Sequence, residues 1–433
     1  SINAQDLKTT IDEVLSTNPI ILERLNNYIS TKQDITTAKS GYYPKLDLSV
    51  GAGRENTKKE DANAITTLRD ENDKPVDSLN LGIYQNTLTY TQNIFKGFQT
   101  TNNVDAQEQR TISAAYSYIE KVNDTSFEMV NTYLQVMKNQ ELLGTAKANV
   151  KINTEIFSKV NKLYDAGLTT LSEVNKIESS LALAKSNLVV QENTLKDTVY
   201  NLQRVLGRTL DPETMVKPTL DVELPKSLEE ANKLSLQNNP SLLVSKHNIN
   251  FAKASIRESR APFYPSVDIE VSQSMNKNLS GVQGEDEGFK AMAYVKYNFF
   301  NGFADDAALQ KSRSRLYQEQ ESKHILDREV TEGLSLSWES NKKLTEQLVH
   351  LKDYKKFSKK TLTLYSKEYD LGRRSLLDLL SAQNDFIGSK AQIINTEYSM
   401  LFAKYRILDA MGSLVSSIVG DNSIVYSNVD LVK

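Results

Sequence analysis

The sequence predicts a mixed α/β protein: long antiparallel helical hairpins joined to a few amphipathic strands, with an internal twofold repeat. Three observations predict it. Tyr-Asp-x-Gly occurs at Tyr164–Gly167 and again at Tyr369–Gly372, with the two glycines 205 residues apart. No proline lies between Pro75 and Pro212 or after Pro265, so long stretches are free to be helical. Short segments in both halves alternate apolar and polar residues, the period of a strand with one apolar face.

The repeat orders the elements. Residues 11–53 align with 232–274 at an offset of 221: Asn18-Pro19 with Asn239-Pro240, and Tyr42-Tyr43-Pro44 with Phe263-Tyr264-Pro265. The offset then falls to 205, where Phe95-Lys-Gly-Phe98 pairs with Phe300-Asn-Gly-Phe303 and Gly207 with Gly412. One insertion of 16 residues between Gly53 and Asn86 explains the change. The expected division is a first repeat over 1–208, a connector over 209–227, a second repeat over 228–412 and a tail over 413–433.

Within the first repeat, a helix runs from about Asn18 to Ala38, extended back to Leu7, and stops before Pro44. Leu46, Leu48, Val50 and Ala52 then alternate with Asp47, Ser49 and Gly51, giving a strand at about 43–54. A charged loop, about Arg54 to Asp77, carries Lys58-Lys-Glu-Asp61. The return strand, about 79–93, slips its apolar phase between Ile83 and Leu88, which predicts a bulge there. The second repeat places strands at about 265–275 (Val267, Ile269, Val271) and 289–299 (Phe289, Ala291, Ala293, Val295), with Glu285-Asp-Glu287 in the loop between.

The helices follow. Phe98 to Leu163 would span about 100 Å at 1.5 Å per residue. Leu143, Ala146, Val150, Asn153, Phe157, Val160 and Tyr164 step by 3 and 4, facing Val174, Ile177, Leu181, Ala184 and Leu188 on the way back. Leu348, Leu351, Lys355, Ser358, Leu362, Tyr365 and Tyr369 repeat the pattern, opposite Leu379, Ala382, Phe386, Ser389 and Ile393. This is an antiparallel coiled-coil seam. The tips, 164–173 and 369–378, combine a glycine suited to a left-handed C′ position with a hydroxyl three residues before an acid. Those pairs are Thr170…Glu173 and Ser375…Asp378. The connector and the tail should form a short strand-bearing collar part-way along the helices.

Composition bounds the rest. Of 433 residues only 39% are hydrophobic, which suits long polar helices better than several cores. The net charge of −3 gives no argument for nucleic acid. There is no cysteine, hence no disulfide, thiolate metal site or lipidated cysteine in the chain as given. No apolar run reaches the 18 residues of a transmembrane helix. The chain begins at Ser1 without a basic-then-apolar leader, and a removed leader is expected.

Four half-apolar strands cannot close a useful barrel alone. Left open, the sheet has two edges, and each unpaired backbone group in a bilayer costs several kcal/mol. Several chains giving four strands each to one barrel would remove those edges. The competing reading is a hairpin sheet packed on its own helices in a soluble periplasmic coiled-coil scaffold or adaptor.

The order and spacing of these motifs resemble the TolC family of bacterial outer-membrane exit ducts over nearly the whole chain. The resemblance implies a homotrimer with a twelve-stranded β-barrel in the outer membrane and a periplasmic α-helical barrel below it. It implies an efflux or type I secretion duct, closed at its tips and opened by a periplasmic adaptor and an inner-membrane ABC exporter or proton-driven pump. It implies gate residues too: Tyr369 and Arg374 tying the second tip to Ser172 and Glu173, and Asp378 forming a ring at the constriction. A second ring position is Ser381 here, which makes the constriction less acidic. The adaptor-contact tips would be Gly167, Leu168, Gly372 and Arg373. Simpler roles compete: Asp378 and Glu173 as helix N-terminal acids, Arg374 as an i,i+4 partner of Asp378, and Tyr369 as a seam residue.

Catalysis finds little support. His247, His324 and His350 are isolated from acids at metal spacing. Trp338 reads as a packing residue. Glu285-Asp286-Glu287 reads as a solvated loop more readily than as a calcium site. No cofactor is expected and no P-loop is present, so energy would come from a partner.

Overall fold

In the computed structural model, the described residues are 5–58, 68–219, 223–420 and 423–431. The elements run α1 (Leu7–Thr17), α2 (Pro19–Lys39), β1 (Lys45–Lys58), β2 (Ser78–Lys96), α3 (Gln99–Asp165) and α4 (Leu171–Leu206). The second half continues α5 (Leu228–Asn238), α6 (Pro240–Glu258), β3 (Ser266–Lys277), β4 (Glu285–Lys296), α7 (Ala304–Asp370) and α8 (Leu376–Ala410). Two short helices follow, α9 (Leu414–Val419) and α10 (Ser423–Tyr426). Both α3 and α7 contain 67 residues, about 100 Å each.

The single helix expected to run back to Leu7 is two. It breaks at Asn18, whose ψ is 124°, because a residue before proline is driven out of the helical region. Asn239, with ψ 121°, breaks α5 from α6 for the same reason. Each asparagine then caps the following helix: Asn18 Oδ1 accepts from the N–H of Ile20 at 2.9 Å, and Asn239 Oδ1 from that of Ser241 at 3.0 Å. Its amide reaches sideways. Asn18 Nδ2 donates to the carbonyl of Val205 at 2.8 Å, and Asn239 Nδ2 to that of Ala410 at 3.1 Å.

The chain divides into two units. One, residues 29–111 and 247–321, holds an antiparallel sheet in the order β1-β2-β3-β4. Register places Leu46, Leu48 and Val50 beside Tyr90, Leu88 and Asn86, and Val267, Ile269 and Val271 beside Val295, Ala293 and Ala291. This face is exposed: Leu48 by 69%, Phe289 by 73% and Val295 by 71%. Asp47, Thr87, Thr89, Thr91, Glu270 and Ser272 lie on the other face, by strand alternation.

The predicted bulge is misplaced. Pairing of β1 with β2 is unbroken from Ser78 to Thr91, and the register shifts between Asn93 and Phe95 instead. The shift brings Phe95 opposite Val267 on the apolar face, while Asn93 bonds Asp268 at 2.7 Å. The apolar phase slip at Ile83–Leu88 has another cause. At their outer ends β1 and β2 are covered by the turn at 278–284, where Asn278 donates to the carbonyl of Gly82 at 2.9 Å and Gly281 lies against Leu68 and Thr57. Leu79 is paired with Thr57 on that covered face. Of the charged loop, residues 59–67 lie outside the described residues.

The last expected strand runs too far. β4 begins at Glu285 and ends at Lys296, where its partner β3 starts at Ser266. Among the described residues no strand lies beside Tyr297 to Phe299 for β4 to extend against. Both strand exits take the same conformation, with φ of 57° and 62° at Gly97 and Phe98 and 56° and 64° at Gly302 and Phe303. At Gly97 no other residue fits, since an added Cβ would sit 2.4 Å from the carbonyl oxygen of Ala261.

The other unit, residues 1–28, 112–246 and 322–433, carries the main core. Ile11, Met129, Tyr133, Leu202, Leu334 and Ile407 are fully buried in it, and Trp338 packs against its margin. The described residues of the collar form no strand of the kind expected. Among the described residues its ladder is one parallel bridge, Gln5 to Met215, and the tail forms α9 and α10. Tyr133 fills the place of a longer ladder: its hydroxyl accepts from the N–H of Val216 at 3.0 Å and lies 2.8 Å from the carbonyl of Gln5. Lys217 fixes the connector to two helices, 3.3 Å from Glu141 and 2.8 Å from Glu397.

Along the seam Val160, Val174, Ile177, Leu181, Ala184, Leu379, Ala382 and Ile393 are buried. Tyr164 departs from it, 41% exposed. α3 ends one residue later and α4 begins only at Leu171, so no residue of α4 stands opposite Tyr164; Ile156 is buried further back.

Candidate gate at the helical tips

Both tips close by the same hydrogen bonds. Gly167 N–H donates to the carbonyl of Tyr164 at 2.8 Å and Leu168 N–H to that of Leu163 at 2.8 Å. Gly372 and Arg373 donate to Tyr369 and Glu368 at 2.9 Å each. With φ of 72° at Gly167 and 68° at Gly372, these are Schellman caps. The residues expected to meet an adaptor are solvent-facing: Leu168 is 74% exposed, and Gly167, Gly372 and Arg373 are exposed beside it.

The following helices start differently. Ser375 Oγ accepts from the N–H of Asp378 at 3.1 Å and donates to its carboxylate at 2.8 Å, so Asp378 is held at the mouth of α8. Thr170 makes no side-chain cap on α4. The expected Thr170–Glu173 box is not formed, because Glu173 turns away. Its Oε2 accepts from Thr169 Oγ1 at 2.5 Å and from the hydroxyl of Tyr369 at 3.3 Å.

That last bond joins the two tips. Tyr369 is buried among Ile156, Val160, Val174, Ile177, Leu376 and Leu379, a cluster drawn from both hairpins. Burial first, and the Glu173 carboxylate second, push its hydroxyl up to about 12. It is a neutral donor at neutral pH. Lys159 adds an ion pair with Asp370 at 2.5 Å, half-exposed on both sides. Asp370 has a signal in sequence: an acid in the last turn of a helix opposes the dipole and calls for a cation. Glu368, also in the last turn of α7, carries the same mark, whereas Lys159 and Thr169 carry none.

Arg374 does not reach Ser172 or Glu173 in this chain. It pairs with Glu368 at 2.7 Å, lies 3.9 Å from Asp378, and stacks over the ring of Tyr365 at 4.1 Å. Its bond to Glu368 holds its own value above the usual guanidinium range. The reason is local: Glu368 ends one helix while Arg374 precedes the next, and the Schellman turn folds the two together. Ser172 and Ser381 are exposed. Tyr369 and Glu173 are therefore brought together, and Arg374, Asp378 and Glu368 form a second group beside them.

Residues 10–208 and 232–413 match the family model described as outer membrane efflux protein. The chain belongs to that family. It is an outer-membrane protein, and its family is one of channels, not of enzymes. The chain is 22% identical over 389 residues to the outer membrane efflux protein BepC of Brucella suis biovar 1, covering 90% of this chain and 81% of BepC. It is 18% identical over 391 residues to the proteases secretion protein PrtF of Dickeya chrysanthemi, covering 88% and 83%. Among solved structures, the CmeC outer membrane channel of Campylobacter jejuni superposes with a TM-score of 0.81 at 14% identity, covering 98% of this chain and 90% of that one. That likeness shows the fold, and the resemblance read from the motifs holds.

Proposed function

We propose that three copies of this efflux-family protein form one exit duct, each giving four strands to a twelve-stranded barrel and two helical hairpins, related by an internal twofold repeat, to a periplasmic helical barrel. One observation carries this reading: the sheet ends at β1 on one side and β4 on the other, with an apolar face open along its length. A hydrocarbon surface accepts that face, and pairing β1 of one copy with β4 of the next satisfies both edges. A soluble scaffold would leave the face in water. Native mass spectrometry in detergent tests the reading and is expected to give three chains. A stable single chain that still inserts in bilayers overturns it.

In this duct the tips are the closed end. Tyr369, Glu173, Arg374 and Asp378 hold the resting state, and Gly167, Leu168, Gly372 and Arg373 meet a periplasmic adaptor. An inner-membrane pump supplies the energy by binding the open state better than the closed one. Relatives are named for efflux and for protease secretion, so the inner-membrane partner decides the cargo. Pull-down of that partner distinguishes an ABC exporter from a proton-driven pump.

A further inference from the structure

A cleft of about 400 Å³ opens in the unit that carries the tips, between α3, α7 and α8 and away from the gate. Leu134, Ser337, Tyr398 and Ala403 make its buried floor. Asn131, Gln135, Lys138, Ser340, Ser399 and Arg406 supply its polar wall. Among the described residues no Asp or Glu lines it.

Among the described residues neither Lys138 nor Arg406 makes an ion pair within the cleft, and the one carboxylate that feels Arg406 is Asp409, outside the cleft lining. Burial alone pulls the Lys138 ammonium below its ordinary value, with no carboxylate acting against it. The acid one turn along α3, Glu141, is taken by Lys217 at 3.3 Å and by the Tyr398 hydroxyl at 2.6 Å. The acid one turn beyond Arg406 is Asp409, whose carboxyl is pushed up to about 7 by burial first and by Asp124 second, against the lowering pull of Arg406, and it does not line the cleft. A half-buried ammonium and an exposed guanidinium thus line one cleft together with amides and hydroxyls and without a lining carboxylate, a setting that suits an oxygen acceptor.

We propose that this cleft binds an oxyanion, a carboxylate or phosphate group, held between Lys138 and Arg406. The group has two possible sources: a carboxylate side chain of a second copy of this chain, or a dissolved anion. Both present the same planar or tetrahedral oxygens to a guanidinium.

Inorganic phosphate is the probe, added to the purified detergent-solubilised protein against chloride at equal ionic strength. A rise in Tm of about 2 °C or more, lost in Lys138→Gln/Arg406→Gln and kept in Lys138→Arg, supports a dissolved anion. A Tm unmoved by phosphate, with the double variant folded by circular dichroism but dissociating more readily into single chains, supports a carboxylate from a second copy. Phosphate without effect, with the double variant as resistant to dissociation as its parent, overturns the proposal. Phosphate is excluded where a second copy fills the cleft, so the parent's oligomeric state, measured separately by native mass spectrometry, keeps failure of this proposal distinct from failure of the trimer.

Discussion

The hydroxyl of Tyr369 donates to Glu173 across the two tips at 3.3 Å, and the same carboxylate oxygen accepts from Thr169. One acid thus gives up the end of its own helix to hold the neighbouring hairpin. The bond is long and partly wet, worth about 1 kcal/mol, so in the proposed duct several copies would have to act together to keep the pore shut.

Tyr369→Phe combined with Arg374→Ser is expected to raise resting conductance in planar bilayers several-fold without unfolding the protein. Since the Tyr369 value is raised from 10.0 to about 12, its tie is fully present below pH 10 and is lost as pH climbs toward 12. Wild-type conductance should rise over that window, and Tyr369→Phe should flatten the Tyr369 component. Conductance at the closed level in the folded double variant would place the gate elsewhere.

Asp378→Asn separates a helix cap from a charged ring. The asparagine can still accept from Ser375 Oγ, so stability should fall by under about 1 kcal/mol. Like carboxylates around one axis favour cations between them, and cation preference and divalent block should both weaken. Unchanged reversal potentials would leave Asp378 as a cap alone.

Asp409 makes stability depend on pH. Its folded value, about 7, lies above its ordinary 3.8, so the folded state binds the extra proton and loses stability as pH rises through that interval. Asp409→Asn should therefore raise Tm at pH 8 by about 2–5 °C and lose that advantage near pH 4. An equal gain at both pH values would refute the buried charge as its source.

Gly207 and Gly412 align in the sequence but have different surroundings. Both have positive φ, 87° and 69°. A Cβ at Gly207 meets nothing within 4 Å, whereas at Gly412 it would lie 2.5 Å from the carbonyl oxygen of Asn238. Gly207→Ala should cost about 1 kcal/mol of backbone strain. Gly412→Ala should cost several-fold more, seen as a lower Tm or loss of folded protein. Equal losses would mean that strain alone decides both sites.

The periodicities show how much a sequence states by itself. Strand faces were legible because alternation is a property of one segment: Leu46, Leu48 and Val50 share a face whatever their neighbours do. The tips were legible because Gly167 and Gly372 are needed locally. The bulge at Asn93–Phe95 was not, since it depends on the register of β2 against β3. Arg374 was read toward Ser172 and Glu173, but its choice of Glu368 depends on how the turn folds two helix ends together. Lys159 is one lysine among many on α3 until Asp370 lies beside it.

The stitches at Asn18 and Asn239 have a mechanical consequence. Each asparagine fastens the end of a returning helix, Val205 or Ala410, to the helix break it caps. The returning helices α4 and α8 are then cantilevers, clamped at the core and bearing their tips at the far end. At 36 residues α4 is about 54 Å long. A tilt of about 5° at such a clamp carries the tip through about 5 Å, so in the proposed duct a partner docked at the tips would work with a long lever arm. The buried seam residues of these helices, Val174, Ile177, Leu181, Leu379 and Ala382, must move with their partners on α3 and α7 or have their packing remade.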